Sequence, residues 1–267
     1  VPTGTNAGTY TVWYKAKGDA DHNDSEPQSV TVTISRKTLA VSSTNATLSG
    51  SDLQTDADGT YYYEYDGTEK KPSVIITDGG ATVPASEYTV SYSDNKNVGD
   101  ATVTITDNEG GNYDVSGSVT FEIREGTAEL TGSPQAKDLT YTGQPQELVT
   151  VGTASGGHIE YMLLDKDGNG TYGTTIPTAT DAGTYTVTYK VVGDSNHADS
   201  ATTGSVTVTI KPKEVISPKV TVNGTYIYDG SPKEPTGNSV EVVDGTTPIP
   251  SSEYTLSYRD NTDAGTA

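Results

Sequence analysis

The stretch DKDGNGTYGTTI, residues 165–176, contains the residue types of a calcium-binding loop. Asp165, Asp167 and Asn169 match its first three ligand positions, and a glycine follows them, as in loops that hold Ca²⁺ through oxygen atoms. The twelfth position should supply a bidentate glutamate, but it is Ile176, and the flanking residues have strand-like patterns. We therefore predict a hairpin turn built on Asp-Gly and Asn-Gly with no bound metal or other cofactor, and calcium binding is the alternative.

Two histidines lie at equivalent positions of similar loops, GDADHNDS at 18–25 and GDSNHADS at 193–200. The Asp and Ser residues around His197 would permit a Ser-His-Asp site. However, the corresponding loop NEGGNYD carries Tyr113 where the other two loops carry His22 and His197. A position that accepts either His or Tyr indicates an aromatic plug for a loop, not a general base. We therefore predict no catalytic residues and no enzymatic activity.

The stretch YYYEYDG, residues 61–67, places tyrosines on both faces of a predicted strand. Two of these tyrosines recur in the similar stretch YIYDG, which indicates a place in the core. They are Tyr63 and Tyr65, matched by Tyr226 and Tyr228. The two extra ones, Tyr61 and Tyr62, are candidates for stacking against a sugar ring.

Composition excludes several classes of partner and site. The chain of 267 residues has 36 acidic and 16 basic side chains, a formal net charge of −20, and no cysteine. Because no basic cluster is present, we expect no nucleic-acid partner, since phosphates would be repelled. Without cysteine, disulfides, zinc-thiolate sites and thiol nucleophiles are excluded. No apolar run in the sequence approaches membrane-spanning length, so no membrane insertion is expected.

One phrase recurs along the chain: TNAGTYTVWYK, NVGDATVTI, TDAGTYTVTYK and TDAGTA. Its glycines, Gly8, Gly99, Gly183 and Gly265, are separated by 91, 84 and 82 residues. A period this regular is typical of a tandem array. Trp13 occupies the place of Thr188 on the predicted solvent side of its strand, so it is a further candidate for contacting a sugar or a neighbouring module.

Apolar and polar residues alternate within each repeat. In GTYTVTYKV, residues 183–191, Tyr185, Val187, Tyr189 and Val191 point one way and are predicted to be buried, as are Tyr10, Val12 and Tyr14 in the first copy. About seven such runs in the third repeat, separated by turn residues, are typical of an immunoglobulin-like β-sandwich. The predicted fold class is therefore all-β, with tandem sandwich modules in an extended rod. A β-grasp-like module with one short helix is the alternative.

Closing strands at Ile34, Ile123 and Ile210 divide the chain into four segments. The segments alternate between two types, A and B. They are 1–35, the C-terminal part of an A-type module; 36–125, a B-type module; 126–211, an A-type module; and 212–267, the N-terminal part of a B-type module. Since the chain starts and stops inside a phrase, we expect it to be a piece of a longer protein.

The longer phrases carry a family resemblance. TYTGQPQELV, TIPTATDAGTYTVTYKVVGD and SVTVTI resemble the MBG-type repeats of bacterial cell-surface proteins, and YEYDGTEKKPSVIITDGG with VPASEYTVSYSDNKNVGDATVTI resembles the related YDG-type repeats. The resemblance covers essentially the whole chain. It implies an extracellular, cell-surface or cell-wall-associated adhesin in which these modules serve as a stalk, and it carries no catalytic residues to transfer.

The sequence therefore predicts a stalk or spacer whose partners are neighbouring modules of the same protein. A carbohydrate-binding or host-ligand-binding module is one alternative, with a glycan or host surface protein as partner. A self-assembling extracellular filament is another. Segments 1–35 and 212–267 are each part of a module, so if both are ordered their apolar faces must be covered. Two explanations are open: neighbouring sequence of the same protein, or head-to-tail association of copies.

Overall fold

The structure, a computed structural model, describes residues 2–263 and 265. Contacts group these residues into two compact units. The first comprises the described residues up to Gln135, together with Val149–Pro177 and Thr186–Val206, and the second comprises Ala136–Leu148, Thr178–Tyr185 and the described residues from Thr207 onward. The fourth copy of the repeated phrase, at 262–267, lies partly outside the described residues.

The first segment forms one antiparallel hairpin. Its strands are β1 (Gly8–Tyr14) and β2 (Gln28–Ile34). Gly8 lies opposite Ile34 and Tyr14 opposite Gln28, so the pairing extends over the whole of both strands.

The second segment contains nine strands and a short 3₁₀ helix. They are β3 (Lys37–Val41), β4 (Ala46–Ser49), β5 (Gln54–Thr55), β6 (Tyr61–Glu64), β7 (Ser73–Asp78), β8 (Ala81–Thr82), η1 (Ala85–Glu87), β9 (Tyr88–Ser93), β10 (Gly99–Asp107) and β11 (Tyr113–Arg124). One sheet has the order β5-β6-β11-β10-β9, with β3 also paired to β11, and the other has the order β4-β7-β8. The long strand β11 pairs in parallel with β3 at one end and with β6 at the other.

These two sheets enclose one apolar core. Leu48 and Ile76 from the smaller sheet and Phe121, Val103 and Ile123 from the larger one belong to a single buried cluster. The ring of Phe121 meets that of Tyr63 edge-on, with centroids 5.5 Å apart. The segment is therefore a β-sandwich, and the alternating pattern of its strands places one face of each sheet in the core.

The third segment contains ten strands. They are β12 (Gly126–Thr127), β13 (Glu129–Gly132), β14 (Leu139–Thr140), β15 (Gln146–Glu147), β16 (Thr153–Ser155), β17 (Gly157–Leu163), β18 (Thr178–Ala179), β19 (Gly183–Gly193), β20 (His197–Ala198) and β21 (Thr203–Lys211). Within the first unit, β12 pairs with β20, β13 with β16, and β17 with β19. Within the second unit, β14 pairs with β21 and β15 with β18.

The fourth segment lies in the second unit. It contains β22 (Pro218–Val222), β23 (Val240–Asp244) and β24 (Thr247–Pro248), with 3₁₀ turns η2 (Gly237–Ser239) and η3 (Ser251–Glu253). The three strands form one antiparallel sheet of order β22-β23-β24.

The tyrosine of the repeated phrase closes the turn in front of its strand, which explains why the phrase recurs. The hydroxyl of Tyr10 donates to the backbone oxygen of Asn6 at 2.7 Å, and that of Tyr185 donates to the backbone oxygen of Asp181 at the same distance. Each tyrosine thus closes the turn that precedes its own strand, a contact of the kind known as the tyrosine corner in immunoglobulin-like sandwiches. Gly8, inside the first of these turns, has a φ of +151°, which favours glycine.

The predicted all-β sandwich fold is confirmed. The helical elements of the described residues are three 3₁₀ turns of three residues each, so the alternative module with a short α-helix is not formed there. The strand phase is also correct, since Val187, Tyr189 and Val191 are buried.

Several predicted burials are wrong. Tyr14 is 57% exposed, because β1 and β2 pair with each other and no second sheet of the described residues covers their apolar face. Tyr226 and Tyr228, predicted to lie in the core, are exposed, and their stretch forms no strand, whereas the matching stretch of the second segment contains β6.

Candidate functional site

The most distinctive contacts of the first unit lie where one segment meets the next, and we call each such set a joint. The first joint consists of Ala7, Lys37 and Asn112. The backbone N–H of Ala7 donates to Asn112 Oδ1 at 2.7 Å, and the N–H of Lys37 donates to the backbone oxygen of Asn112 at 2.9 Å. One asparagine therefore binds the preceding segment through its side chain and the first strand of its own segment through its backbone.

The second joint repeats this arrangement with Val98, Gly126 and Asn196. The N–H of Val98 donates to Asn196 Oδ1 at 3.0 Å, and the N–H of Gly126 donates to the backbone oxygen of Asn196 at 3.0 Å. Ala7 and Val98 both directly precede the glycine of the repeated phrase. The same two hydrogen bonds thus recur at the same places of two successive repeats.

Parallel strand pairing continues each joint into its segment. β3 begins at Lys37 and pairs with β11 from Tyr113 onward, and β12 begins at Gly126 and pairs with β20 from His197 onward. The chain passes from the last strand of one segment to the first strand of the next within three residues. Such a short, hydrogen-bonded connection restricts rotation between successive segments, because the linker itself is part of a sheet.

His197 fills the second joint. Its ring meets that of Tyr65 edge-on at a centroid distance of 5.0 Å, and Nδ1 lies 2.7 Å from Asp194 Oδ1. A Cβ at Gly156 would lie 2.6 Å from the ring, and one at Gly126 would lie 3.1 Å from it, so both glycines make room for the histidine. The hydrogen bond with His197 lowers the pKa of Asp194. The ring is a plug, as predicted, and the space that it fills is the joint.

The loop that carries Asn112 is held by charged groups. The guanidinium of Arg36 donates to both carboxylate oxygens of Asp107, at 2.7 and 2.6 Å, and also to the backbone oxygen of Tyr113. From the other side, the buried carboxylate of Glu87 accepts the N–H of Tyr113 at 2.9 Å. The hydrogen bond with Arg36 lowers the pKa of Asp107. Asn112 is therefore presented by a loop that is ordered on both sides.

Asp199 and Ser200, two of the polar residues around His197, bond to backbone groups of their own loop. Asp199 Oδ1 accepts the N–H of Gly193, and Ser200 Oγ accepts the N–H of Thr202, so both side chains cap their own loop. His22 has the same contact with its neighbour Asp19, at 2.9 Å, but its side chain is exposed.

The calcium candidates form a turn. Asp165 Oδ1 accepts the N–H groups of both Asp167 and Asn169 at 2.9 Å, and the carboxylate of Asp167 pairs with Lys166 at 2.8 Å. Gly168 has a φ of +81°, as a turn residue of this kind requires. Within residues 2–263 and 265, no three His, Asp or Glu side chains come together as a metal site would require.

The aromatic candidates lie in three different environments. Trp13 is 67% exposed, and Tyr61 packs against the core of the second segment. The guanidinium carbon of Arg124 lies 3.7 Å from the centroid of the Tyr62 ring, so one face of that ring is occupied. Within the described part of the chain, no helix has the length and apolar character that crossing a membrane requires.

The sequence analysis singled out Tyr113 and His197 and missed the asparagine that precedes each of them. Asn112 and Asn196 directly precede Tyr113 and His197. That shared dipeptide, Asn followed by an aromatic residue, was the available signal. Ala7 and Val98 act through their backbone N–H groups, which no residue type marks.

No family model matches the chain, and no curated protein matches it. Among solved structures, the fibronectin(III)-like modules of CbhA from Clostridium thermocellum align over 62% of this chain and 94% of theirs, with 15% identity and a TM-score of 0.23. The extracellular cadherin domains 1-4 of protocadherin gamma B7 align over 81% of this chain and 62% of theirs, with 11% identity and a TM-score of 0.20. TM-scores this low do not establish a shared fold. The β-sandwich assignment therefore rests on the strand pairing of the chain itself.

Proposed function

We propose that this chain is a stalk or spacer segment of a bacterial cell-surface, adhesin-like protein, with MBG- and YDG-type modules that hold other domains away from the cell. One observation carries the proposal: the asparagine joint recurs, with Asn112 on Ala7 and Asn196 on Val98. A spacer needs successive modules that keep their mutual orientation, and a joint made of hydrogen bonds and strand pairing supports that. Its role is mechanical and extracellular, with no catalysis.

Acidity is consistent with this role. A formal charge of −20 makes copies of the chain repel one another, which keeps a crowded surface layer from clumping. The chain also keeps its modules without disulfides, since it has no cysteine.

The stiffness of the second joint can be measured with paired spin labels. Because the chain has no cysteine, Thr104→Cys and Ser205→Cys give two defined exposed labelling sites on β10 and β21, one on each side of the joint. We expect one narrow distance distribution, which Asn196→Ala broadens. Asn169→Ala, in the exposed turn, is the matched control and leaves the distribution unchanged. A broad distribution in the protein without the Asn196 change would refute a stiff spacer.

A second candidate is a glycan-binding module, and the exposure of Trp13 favours it. Exposed indole rings commonly stack on sugars. A glycan array that gives a sharp hit abolished by Trp13→Ala would favour this function over the spacer, and silence on the array would favour the spacer.

A further inference from the structure

Asn169 lies in the exposed turn that follows β17, and it begins the tripeptide Asn169-Gly170-Thr171. An Asn that stands one non-proline residue before Ser or Thr is the acceptor pattern for N-linked oligosaccharides. The same pattern begins at three other asparagines of the chain, namely Asn23, Asn45 and Asn223. Because so short a pattern also occurs by chance, the contacts of each asparagine decide which of the four can accept a sugar.

The side chain of Asn169 takes no part in holding its turn. The backbone N–H of Asn169 donates to Asp165 Oδ1 at 2.9 Å, and its backbone oxygen accepts the N–H of Asp165 at 2.8 Å. Within the part of the chain that the structure describes, neither the amide of Asn169 nor the hydroxyl of Thr171 makes a hydrogen bond, and both residues are exposed. A sugar on Asn169 Nδ2 would therefore remove no contact of the fold.

Glycine between these two residues is required by packing. A Cβ at Gly170 would lie 2.5 Å from the backbone oxygen of Leu163 and 2.6 Å from Met162 Cγ. The turn thus packs closely on the end of β17 at its middle residue, while the residues on either side, Asn169 and Thr171, stay exposed. The acceptor pattern is held at the surface by a rigid strand.

Asn45 shows the opposite condition. Its Nδ2 donates to the backbone oxygen of Ala40 at 2.9 Å, and its Oδ1 accepts the N–H of Ser42 at 2.9 Å. Asn45 is also half-buried. Both ends of its amide are therefore committed to the fold, and the nitrogen that would accept a sugar is not free.

The two other patterns are also constrained. In the pattern of Asn23, the hydroxyl of Ser25 accepts the N–H of Ala16 at 2.8 Å and donates to the backbone oxygen of Glu26 at 3.2 Å. Asn223 directly follows β22, and its N–H donates to the backbone oxygen of Ser239 at 2.7 Å, so its backbone is held by another element. The turn at 165–170 bonds only within itself.

We propose that Asn169 is an acceptor site for an N-linked oligosaccharide. In this transfer Asn169 Nδ2 forms a bond to the anomeric carbon of a sugar carried on a lipid pyrophosphate. The bond from that carbon to the pyrophosphate oxygen breaks, the lipid pyrophosphate leaves with the electron pair, and the amide gives up one proton to a base of the oligosaccharyltransferase. The glycan is bulky and shields the long connection from β17 to β18 against proteases.

The inference takes from the proposed function only the extracellular placement of the chain, because N-linked oligosaccharides mark surface loops of secreted proteins. It does not depend on the stiffness of the joints. The spin-label distances across the second joint test the spacer, and sugar transfer to Asn169 tests this site. Failure of one proposal is therefore distinguishable from failure of the other.

Transfer to the folded chain of 267 residues tests the site. The purified chain is incubated with a lipid-pyrophosphate-linked oligosaccharide and an oligosaccharyltransferase that requires only Asn-x-Ser/Thr, and peptide mass spectrometry gives the occupancy of each asparagine. We expect occupancy at Asn169 at least about tenfold above that at Asn45, since two hydrogen bonds of the Asn45 amide must open first. Synthetic peptides with either pattern are the control and should be modified at similar rates, because neither has a fold.

Variants at the threonine separate recognition from simple exposure. Thr171→Val removes the hydroxyl of the pattern and should abolish transfer to Asn169, whereas Thr171→Ser should keep it. Thr174→Val, at an exposed position outside the pattern, is the matched control and should be modified like the parent chain. Circular dichroism checks that all three variants are folded. The proposal is overturned if the folded chain stays unmodified at Asn169 while its peptide is modified, if Asn45 is occupied equally, or if Thr171→Val still accepts the sugar.

Discussion

Asn196 Oδ1 accepts the backbone N–H of Val98 at 3.0 Å, across the boundary between the second and third segments. Asn112 and Ala7 repeat this relationship at 2.7 Å one repeat earlier. The acceptor is a side chain from the later segment and the donor is a backbone group of the earlier one. The donor position therefore tolerates Ala or Val, whereas the acceptor position requires a short side chain with an oxygen, such as Asn or Asp.

Asn196→Ala should release the amide of Val98. We expect its hydrogen exchange to accelerate by about fivefold, since an intramolecular hydrogen bond contributes about 1 kcal/mol. Exchange measured residue by residue by NMR detects this change at Val98, while amides in the core of the second segment, such as that of Val103, keep their protection. Unchanged exchange at Val98 would mean that the bond contributes nothing to the joint.

Gly156→Ala should displace His197 from the second joint. Gly156 has a φ of +70°, and an added Cβ would lie 2.6 Å from the histidine ring. Gly168→Ala is a matched control, because Gly168 has a similar φ of +81° but no atom within 4 Å of the added Cβ. Both variants incur about 1–2 kcal/mol of backbone strain. We expect Gly156→Ala, but not Gly168→Ala, to lose further stability in urea unfolding and to shift the NMR resonances of the His197 ring. Equal losses of stability in the two variants would show that the ring adapts to the added methyl group.

Asp66 should give the second segment an acid-labile contribution to stability. Its carboxylate accepts from the Lys70 ammonium at 2.6 Å, and this bond, followed by those from Thr68, lowers the pKa of Asp66 well below its ordinary value of 3.8. Because the folded pKa is the lower one, the stabilisation is present above pH 3.8 and is lost as the pH falls through the folded value.

Asp66→Asn should therefore lower the free energy of unfolding at neutral pH and make its decrease in acid less steep. Lys70 is 9% exposed at its side chain, so the variant also leaves a nearly buried ammonium without its partner. Urea unfolding at a series of pH values measures both effects. Glu69→Asn, at an exposed ion pair, is the control and should change little. Parallel curves for the parent protein and Asp66→Asn would contradict the assignment.

Strand phase was predictable from the sequence because it depends on local alternation. Val187 and Tyr189 are buried as the period of two predicts. Tyr14 has the same pattern and is exposed, because burial also requires a covering sheet, and the alternation of one strand does not identify the strand that packs on it.

Parallel pairing was not predictable for the same reason. Gly126–Thr127 is too short to have a pattern, yet it pairs in parallel with His197–Ala198 and begins the second joint. The candidate site was predicted in part. His197 was singled out by residue type and by its repetition, whereas Asn196 is defined by a contact with a backbone group of another segment, which sequence spacing does not indicate.

Arg36→Lys should loosen the first joint although Arg36 does not touch Ala7. Arg36 holds the Asn112 loop through two parallel bonds to Asp107 and one to the backbone oxygen of Gly111 at 3.2 Å. A lysine ammonium cannot make the paired contact, because it is a single donor centre without a planar fork.

We expect a loss of about 1–2 kcal/mol in the free energy of unfolding of the second segment, because a charge-assisted bond to a half-buried carboxylate is lost. The amide of Ala7 should also exchange faster, since its acceptor Asn112 becomes more mobile. Arg259→Lys, at an exposed position, is the control and should alter neither measurement. Arg36→Lys could instead lower stability and leave exchange at Ala7 unchanged. In that case Asn112 is ordered by Glu87 and its own strand, and Arg36 stabilises the sandwich but not the joint.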